Sequence, residues 1–318
     1  MIWCTQPGPD CDTVVASRVT LYRNLVDYPF VHKLSAEAAE EICSKVSDAL
    51  TNEGSFCTSE NSAPLFADER TQKEPGALVI SDDSAGIRVS VCEKEHITIS
   101  CTLAGNAAAQ AYERVKNIDE VLDGKLTYAF SEKYGYLNSS AELLGPGMKA
   151  EMSLFLPLLC DSGQSEAQVM SLSGYRISSR QHRGAFFDME TYAVIGSDEQ
   201  DALTRISYCA GCLSSRERAI RSSLQAEDSD RLSDRVSRAY GVLKYSMLLT
   251  FEEFMQAASD IRLGIALGII KDMDYQSLGK LIIDALPKSI KPSGDHPKEK
   301  LRAELVRSRL SRLTEASV

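Results

Sequence analysis

No window of this chain approaches the roughly 18 consecutive apolar residues that a membrane-crossing helix needs, so the pattern excludes a spanning helix. Nothing in Met1–Asp10 joins a basic region to an apolar stretch, and no secretory signal is expected. Positive charge is in deficit: 35 Lys and Arg stand against 45 Asp and Glu, a formal charge of -10. That balance argues against a broad nucleic-acid surface, which requires clustered cations facing phosphates. Any phosphate site must then be a local basic pocket inside an acidic molecule. Cys209 and Cys212 form a C-x-x-C with no second pair at similar spacing, which a structural zinc site usually needs. They read as two small side chains on one helical face. The nine cysteines are odd in number and irregularly spaced, so reduced thiols in a cytoplasmic protein are expected.

What is present suffices for a folded protein. The 318 residues are 43% hydrophobic, enough for one large domain or two ordinary ones. Ser35 is placed to cap a helix that carries Ile42, Val46 and Leu50 on one face. Thr51 to Gly76 is polar and reads as a long connection. Ile87, Val89 and Val91, then Ile97, Ile99 and Cys101, alternate as two strands of a hairpin around Cys92–His96. Further strands are expected at Met152–Leu156, Tyr175–Ile177 and Ala185–Met189, the last continuing through Tyr192–Ile195. From Ser197 the spacing turns helical, with Leu203, Ile206, Ala210 and Leu213 in register. The charged, serine-rich stretch Ser214–Asp234 reads as the end of a first domain. Thr250 and Glu253 have capping-box spacing, Leu249 and Phe254 that of a hydrophobic staple. A stripe of Phe254, Ala258, Ile261, Ile265 and Ile269 follows. Pro287, Pro292 and Pro297 precede a basic helix over Lys298–Leu313. The pattern gives a mixed α/β domain with antiparallel strands and then a smaller helical domain. It gives no reaction.

Four segments, in order, carry a resemblance. Ala16-Ser17-Arg18-Val19-Thr20-Leu21-Tyr22-Arg23-Asn24-Leu25, running on to Tyr28-Pro29-Phe30, resembles the arginine-rich opening of a catalytic domain. Cys92-Glu93-Lys94-Glu95-His96-Ile97-Thr98-Ile99 resembles an acidic loop. Gly135–Ser140 with Gly145–Ala150 resembles a cysteine loop and the arginine after it. Asp234–Leu243 with Asp260–Gly268 resembles a helical C-terminal domain. Together they are similar to the bacterial protein-arginine kinases of the ATP:guanido phosphotransferase family. The resemblance implies an α+β, phosphagen-kinase-like catalytic domain over 1–222, an antiparallel sheet flanked by helices. It also implies an all-helical domain over 223–318, ATP with Mg2+ as cofactor, protein substrates or stress-response partners, and a homodimer.

Moving a γ-phosphoryl group to a guanidinium requires cations around the triphosphate. It also requires a carboxylate, because a guanidinium with a pKa above about 12 is a poor nucleophile until a base takes a proton. Matched position by position, Arg18 and Arg23 keep family arginines, whereas Thr20 and Thr98 replace two others. Lys94 stands at the position of the base, Ser140 at that of the cysteine and Lys149 at that of an arginine. The family's second carboxylate loop corresponds to Ser178–Gly184, which is short and contains no acid; its Arg180 and Arg183 are candidate phosphate ligands. Glu93, Glu95 and Ser140 are the remaining catalytic candidates. Lys94 itself reads as a solvated side chain and His96 as structural. A cation about 4 Å from the acceptor guanidinium is repelled by roughly 4 kcal/mol at an effective dielectric near 20. Lys298-Glu299-Lys300-Leu301-Arg302-Ala303 resembles the family's phosphoarginine-holding motif, which puts Lys298, Glu299 and Arg302 forward as ligands. Two readings stay open: a catalytically impaired regulatory or phosphoarginine-binding homologue, and a working kinase built on rearranged residues such as Glu93, Glu95, Arg180 and Arg183.

Overall fold

A computed structural model describes residues 6–50, 57–58, 78–82, 84–161, 178–181, 184–193, 195–290 and 297–315. Ten strands are described: β1 (Val14–Arg23), β2 (Cys57–Thr58), β3 (Leu78–Asp82), β4 (Ile87–Val91), β5 (Ile97–Ala104), β6 (Phe130–Ser131), β7 (Gly135–Tyr136), β8 (Met148–Phe155), β9 (Ser178–Gln181) and β10 (Phe186–Tyr192). Eight of them form one sheet in the order β2-β3-β4-β5-β1-β8-β10-β9, and β6 and β7 form a small hairpin. The helices are α1 (Ala36–Leu50), α2 (Ala108–Asp123), α3 (Pro157–Asp161), α4 (Glu199–Glu227), α5 (Ser229–Tyr245), α6 (Phe251–Ala266), α7 (Tyr275–Asp284) and α8 (Lys298–Glu315). The chain divides into two compact units. One comprises Ala16–Met152 with Met189–Tyr208; the other comprises Cys4–Val15, Ser153–Asp188 and Cys209–Val318. No described helix is long and apolar enough to cross a membrane.

In the first unit the expected hairpin is present, with Val89 opposite Ile99 and Val91 opposite Ile97. β5 also pairs antiparallel with β1, placing Tyr22 opposite Thr98 and Thr20 opposite Ser100. Alternation then sorts the side chains. Val19, Leu21, Ile97, Ile99 and Cys101 are buried, and α2 packs on β5 with Ala111, Val115, Ile118 and Leu122 buried at helical spacing. Arg18, Thr20 and Tyr22 lie at alternate positions of β1 and share its other face. Ser35 caps α1 as its spacing predicts, its hydroxyl accepting from Ala38 N at 3.2 Å.

The second unit is mainly helical. Its capping box is complete: Glu253 N donates to Thr250 Oγ1 at 3.1 Å, and Thr250 N donates to Glu253 Oε2 at 2.9 Å. Leu249 and Phe254, the expected staple, are both buried. α5 and α6 meet closely, because a Cβ on Gly264 would lie 2.5 Å from Val236 Cγ1. The stripe stops earlier than its spacing suggests. α6 ends at Ala266, Gly268 takes φ +71°, and Ile269 lies beyond the helix with its N–H turned back to Gly264 O. This is the left-handed stop that glycine accommodates without a Cβ penalty.

The charged, serine-rich stretch Ser214–Asp234 is helical: α4 runs through to Glu227 and α5 begins at Ser229. The break is one residue wide, at Asp228, whose side chain accepts from Arg231 N. The polar residues of that stretch have partners, Arg221 with Glu217 and Arg218 with Asp10 and Asp12. The loop expected at Ser178–Gly184 is in part strand β9, which lies beside β10. β10 itself ends at Tyr192. Tyr175–Ile177 lie outside the described residues.

Candidate functional site

The first unit's sheet presents a charged face. Alternation along β8 turns Lys149 and Glu151 the same way, and along β10 it groups Glu190 with Tyr192. Lys149 Nζ lies 2.9 Å from Glu151 Oε1 and 2.5 Å from Glu190 Oε2. Arg18 Nε on β1 lies 3.9 Å from Glu151 Oε2, is buried and has no hydrogen-bond partner; the Thr20 hydroxyl is likewise buried and unpartnered. Burial alone would lower the Lys149 pKa, but Glu151 and Glu190 hold it well above the ordinary lysine value. Tyr22 is pushed up to about 12, by burial first and then by the Glu151 charge. Burial raises the Glu151 carboxyl, yet Arg18, Lys149 and Lys94 together bring it below its usual value of 4.5.

This last shift has a pH signature. A carboxyl with a lowered folded pKa contributes stability above its unfolded value, and that stability is lost as pH falls through the folded value. We expect Glu151→Gln to lower the urea midpoint at pH 7, and the gap to wild type to close as pH falls below 4.5. A gap that is constant from pH 7 to pH 3 would contradict the ion-pair account.

The acidic loop is held by a different set of contacts. Glu95 is 1% exposed; it accepts from Asn24 Nδ2 at 2.7 Å, Ser139 N at 2.9 Å and Ser139 Oγ at 2.5 Å. His96 is fully buried. Its Nδ1 accepts from Leu25 N at 3.0 Å, so Nε2 carries the proton and donates to Pro29 O at 2.8 Å. Burial lowers its pKa, in keeping with a neutral structural ring. Glu93 pairs instead with Arg88 at 3.2 Å, and Lys94 is exposed. Glu93 and Glu95 therefore have separate partners, Glu93 at Arg88 on β4 and Glu95 at Asn24 and Ser139. Ser140 is half-buried and precedes a short 3-10 turn, Ala141–Leu143, that its side chain does not cap.

Arg23 departs from the phosphate role expected of it. It is 2% exposed; Nε and Nη2 grip Asp119, with Nη2 at 2.7 Å, and Nη1 donates to Tyr22 O at 2.9 Å and Pro146 O at 3.0 Å. Its guanidinium sits 3.6 Å from the Tyr136 ring centroid. Every nitrogen is committed inside the protein, so Arg23 braces β1 against α2 and the turn before β8. Arg180 falls within β9, and Arg183 lies outside the described residues. In the second unit Arg302 is also 2% exposed, donating to Ala285 O and Leu249 O, each at 3.0 Å. Lys298 Nζ lies 3.4 Å from Pro287 O. Arg302 thus ties α8 to the end of α7 and to the residue before the α6 cap.

A triphosphate with its metal is a poor fit to the charged face. Arg18, Lys94 and Lys149 supply positive charge, but Glu151 and Glu190 stand among them. Two carboxylates there repel an anion, and Thr20 and Thr98 add no charge. Among the described residues no cluster of three His, Cys, Asp or Glu side chains is placed to hold a metal ion. Sequence reading identified Lys149 and Lys94 but passed over Glu151 and Glu190.

Comparison with known proteins gives this arrangement its context. Residues 32–220 match the family model "ATP:guanido phosphotransferase, C-terminal catalytic domain". Residues 229–318 match the "Protein-arginine kinase McsB C-terminal domain". A protein-arginine kinase of Desulforamulus reducens is 30% identical, over 98% of this chain and 96% of its own. One of Syntrophomonas wolfei is 29% identical, over 96% and 94%. Among solved structures, the duplicated taurocyamine kinase from Schistosoma mansoni shares the fold with a TM-score of 0.57 at 19% identity; the match covers 74% of this chain and 39% of that one. A lombricine kinase gives 0.57 at 14% identity, covering 69% and 70%. The chain belongs to the ATP:guanido phosphotransferase family, in the branch of the protein-arginine kinases.

Proposed function

We propose that this chain is a protein-arginine kinase homologue without useful phosphoryl transfer, acting as a regulatory or phosphoarginine-binding protein on cytoplasmic, stress-related protein partners. One observation carries the reading: Lys149, at the position of a family arginine, is neutralised by the protein's own Glu151 and Glu190. Lys94 adds to it, since a cation at the base position cannot accept a proton from a guanidinium. Loss of a general base costs about two to four orders of magnitude in rate, and loss of a charge-stabilising donor about two to three more. The division into 1–222 and 223–318 is part of the same proposal, the first portion retaining the catalytic-domain fold and the second supplying recognition. Of the three phosphoarginine candidates, Arg302 is largely occupied by carbonyls, so recognition there falls to Lys298 and Glu299.

The test is direct. Purified protein is incubated with Mg-ATP and an arginine-rich protein, and acid-labile phosphate is measured. We expect none above the no-enzyme control. Sustained turnover that is lost on Lys149→Met would overturn the proposal.

A further inference from the structure

We propose that Cys43 and Cys92 are an oxidisable thiol pair, closing to a disulfide that fastens the acidic loop to helix α1. Cys43 is on α1 and Cys92 opens the loop Cys92–His96. The two side chains are hydrogen-bonded to each other, and Cys92 Sγ rests 4.0 Å from Ala39 O, one turn before Cys43. Cys92 is buried and Cys43 half-buried, so a small oxidant reaches Cys43 first. Cys92 also holds φ +56°, a left-handed conformation uncommon for a residue with a Cβ. Closure of the loop maintains it, with Cys92 N donating to His96 O at 2.9 Å.

The electrostatics agree with this geometry. Cys43 is lowered to about 7, first by the Cys92 hydrogen bond, against burial, and further by the Leu78 amide; Glu40, the charged neighbour on α1, opposes the shift. Cys92 is raised, by sharing its proton with Cys43 and by burial. Cys43 is thus the thiolate and Cys92 the proton donor, the division of roles that disulfide formation needs. Cys101 and Cys160 are pushed up to about 11 and about 12 by burial, which keeps them unreactive at neutral pH and makes them internal controls.

With a peroxide as oxidant the step balances. The Cys43 thiolate attacks one oxygen, an S–O bond forms, the O–O bond breaks, and the departing hydroxide takes a proton to leave as water. The Cys92 sulfur then attacks the resulting sulfenic acid; an S–S bond forms, the S–O bond breaks, and the second water carries away the Cys92 proton. Two thiols lose two electrons and the peroxide is reduced to two waters. The linked loop carries Glu95, which holds Asn24 and Ser139, and Lys94, whose charge acts on Glu151. Oxidation therefore reaches the charged face through the main chain, whether or not the chain transfers phosphate.

The test uses the full wild-type chain. It is treated with hydrogen peroxide at pH 7, alkylated under denaturing conditions, and digested without reductant for mass spectrometry. We expect a Cys43–Cys92 cross-linked peptide that dithiothreitol reverses, with Cys101 and Cys160 recovered alkylated. Separate recovery of the Cys43 and Cys92 peptides, each alkylated, would defeat the proposal; so would Cys43 recovered as sulfinic acid beside a free Cys92. In the native protein the alkylation rate of Cys43 should climb through about pH 7; a rise only near pH 8.5, as for an ordinary thiol, counts against it. In Cys92→Ser, Cys43 should instead accumulate a sulfenic acid that a 1,3-dione reagent captures.

Discussion

Arg23→Met is expected to destabilise the protein by about 3–5 kcal/mol, because it leaves a buried carboxylate without its partner. The Asp119 side chain is only 12% exposed, and its oxygens face Arg23 Nε and Nη2. The same substitution removes the donor to Pro146 O and the cation over Tyr136. Replacing both members of the pair, as Arg23→Met with Asp119→Leu, should recover much of the loss, since removing both charges avoids the unpaired one. Urea unfolding without any nucleotide measures both variants. An arginine whose role is to meet phosphate behaves differently: its loss leaves stability within about 0.5 kcal/mol and changes only ligand affinity. A near-neutral Arg23→Met would therefore return Arg23 to the anion site. A deficit in the double variant as large as in the single one would instead place the energy in packing against Tyr136.

The same residues show where sequence reading reaches and where it stops. Helix α1, the β4–β5 hairpin and the Thr250 cap were legible because each is written locally, in a period or a cap spacing. α2 was not singled out. Its N-cap position holds Ala107, which makes no side-chain cap, so the start signal is absent although Ala111, Val115, Ile118 and Leu122 are in register. Its Asp119 is the partner that turns Arg23 from a ligand into a brace. The stretch around Arg218 and Arg221 has the composition of a linker, but its partner Asp12 lies about 200 residues away in the chain, where no local pattern reaches. The charged face divides in the same way. Glu151 follows Lys149 by two residues on a strand, so period two already sets them side by side. Glu190 comes from a different strand, and only the adjacency of β8 and β10 brings it to Lys149.

That adjacency supplies the other large expected effect. In a Glu151→Ser, Glu190→Ser variant, Mg-ADP should bind about 100-fold or more tightly than it does to wild type. A carboxylate about 4 Å from a phosphate oxygen repels it by roughly 4 kcal/mol at an effective dielectric near 20, so even half of that from each residue is tenfold or more. The substitutions also free Lys149, and they leave the buried Arg18 Nε facing open space for an acceptor. Calorimetry gives the affinity, and Lys149→Met in the same background should abolish the gain. If the double variant folds and binds no better than wild type, the carboxylates are not what bars the anion, and the missing charge at Thr20 and Thr98 is the cause. Binding in this variant should still come without turnover, because Lys94 continues to present a cation where a base must accept a proton. Gain of nucleotide without gain of phosphoryl transfer would separate the two losses, the first residing in the sheet face and the second in the loop.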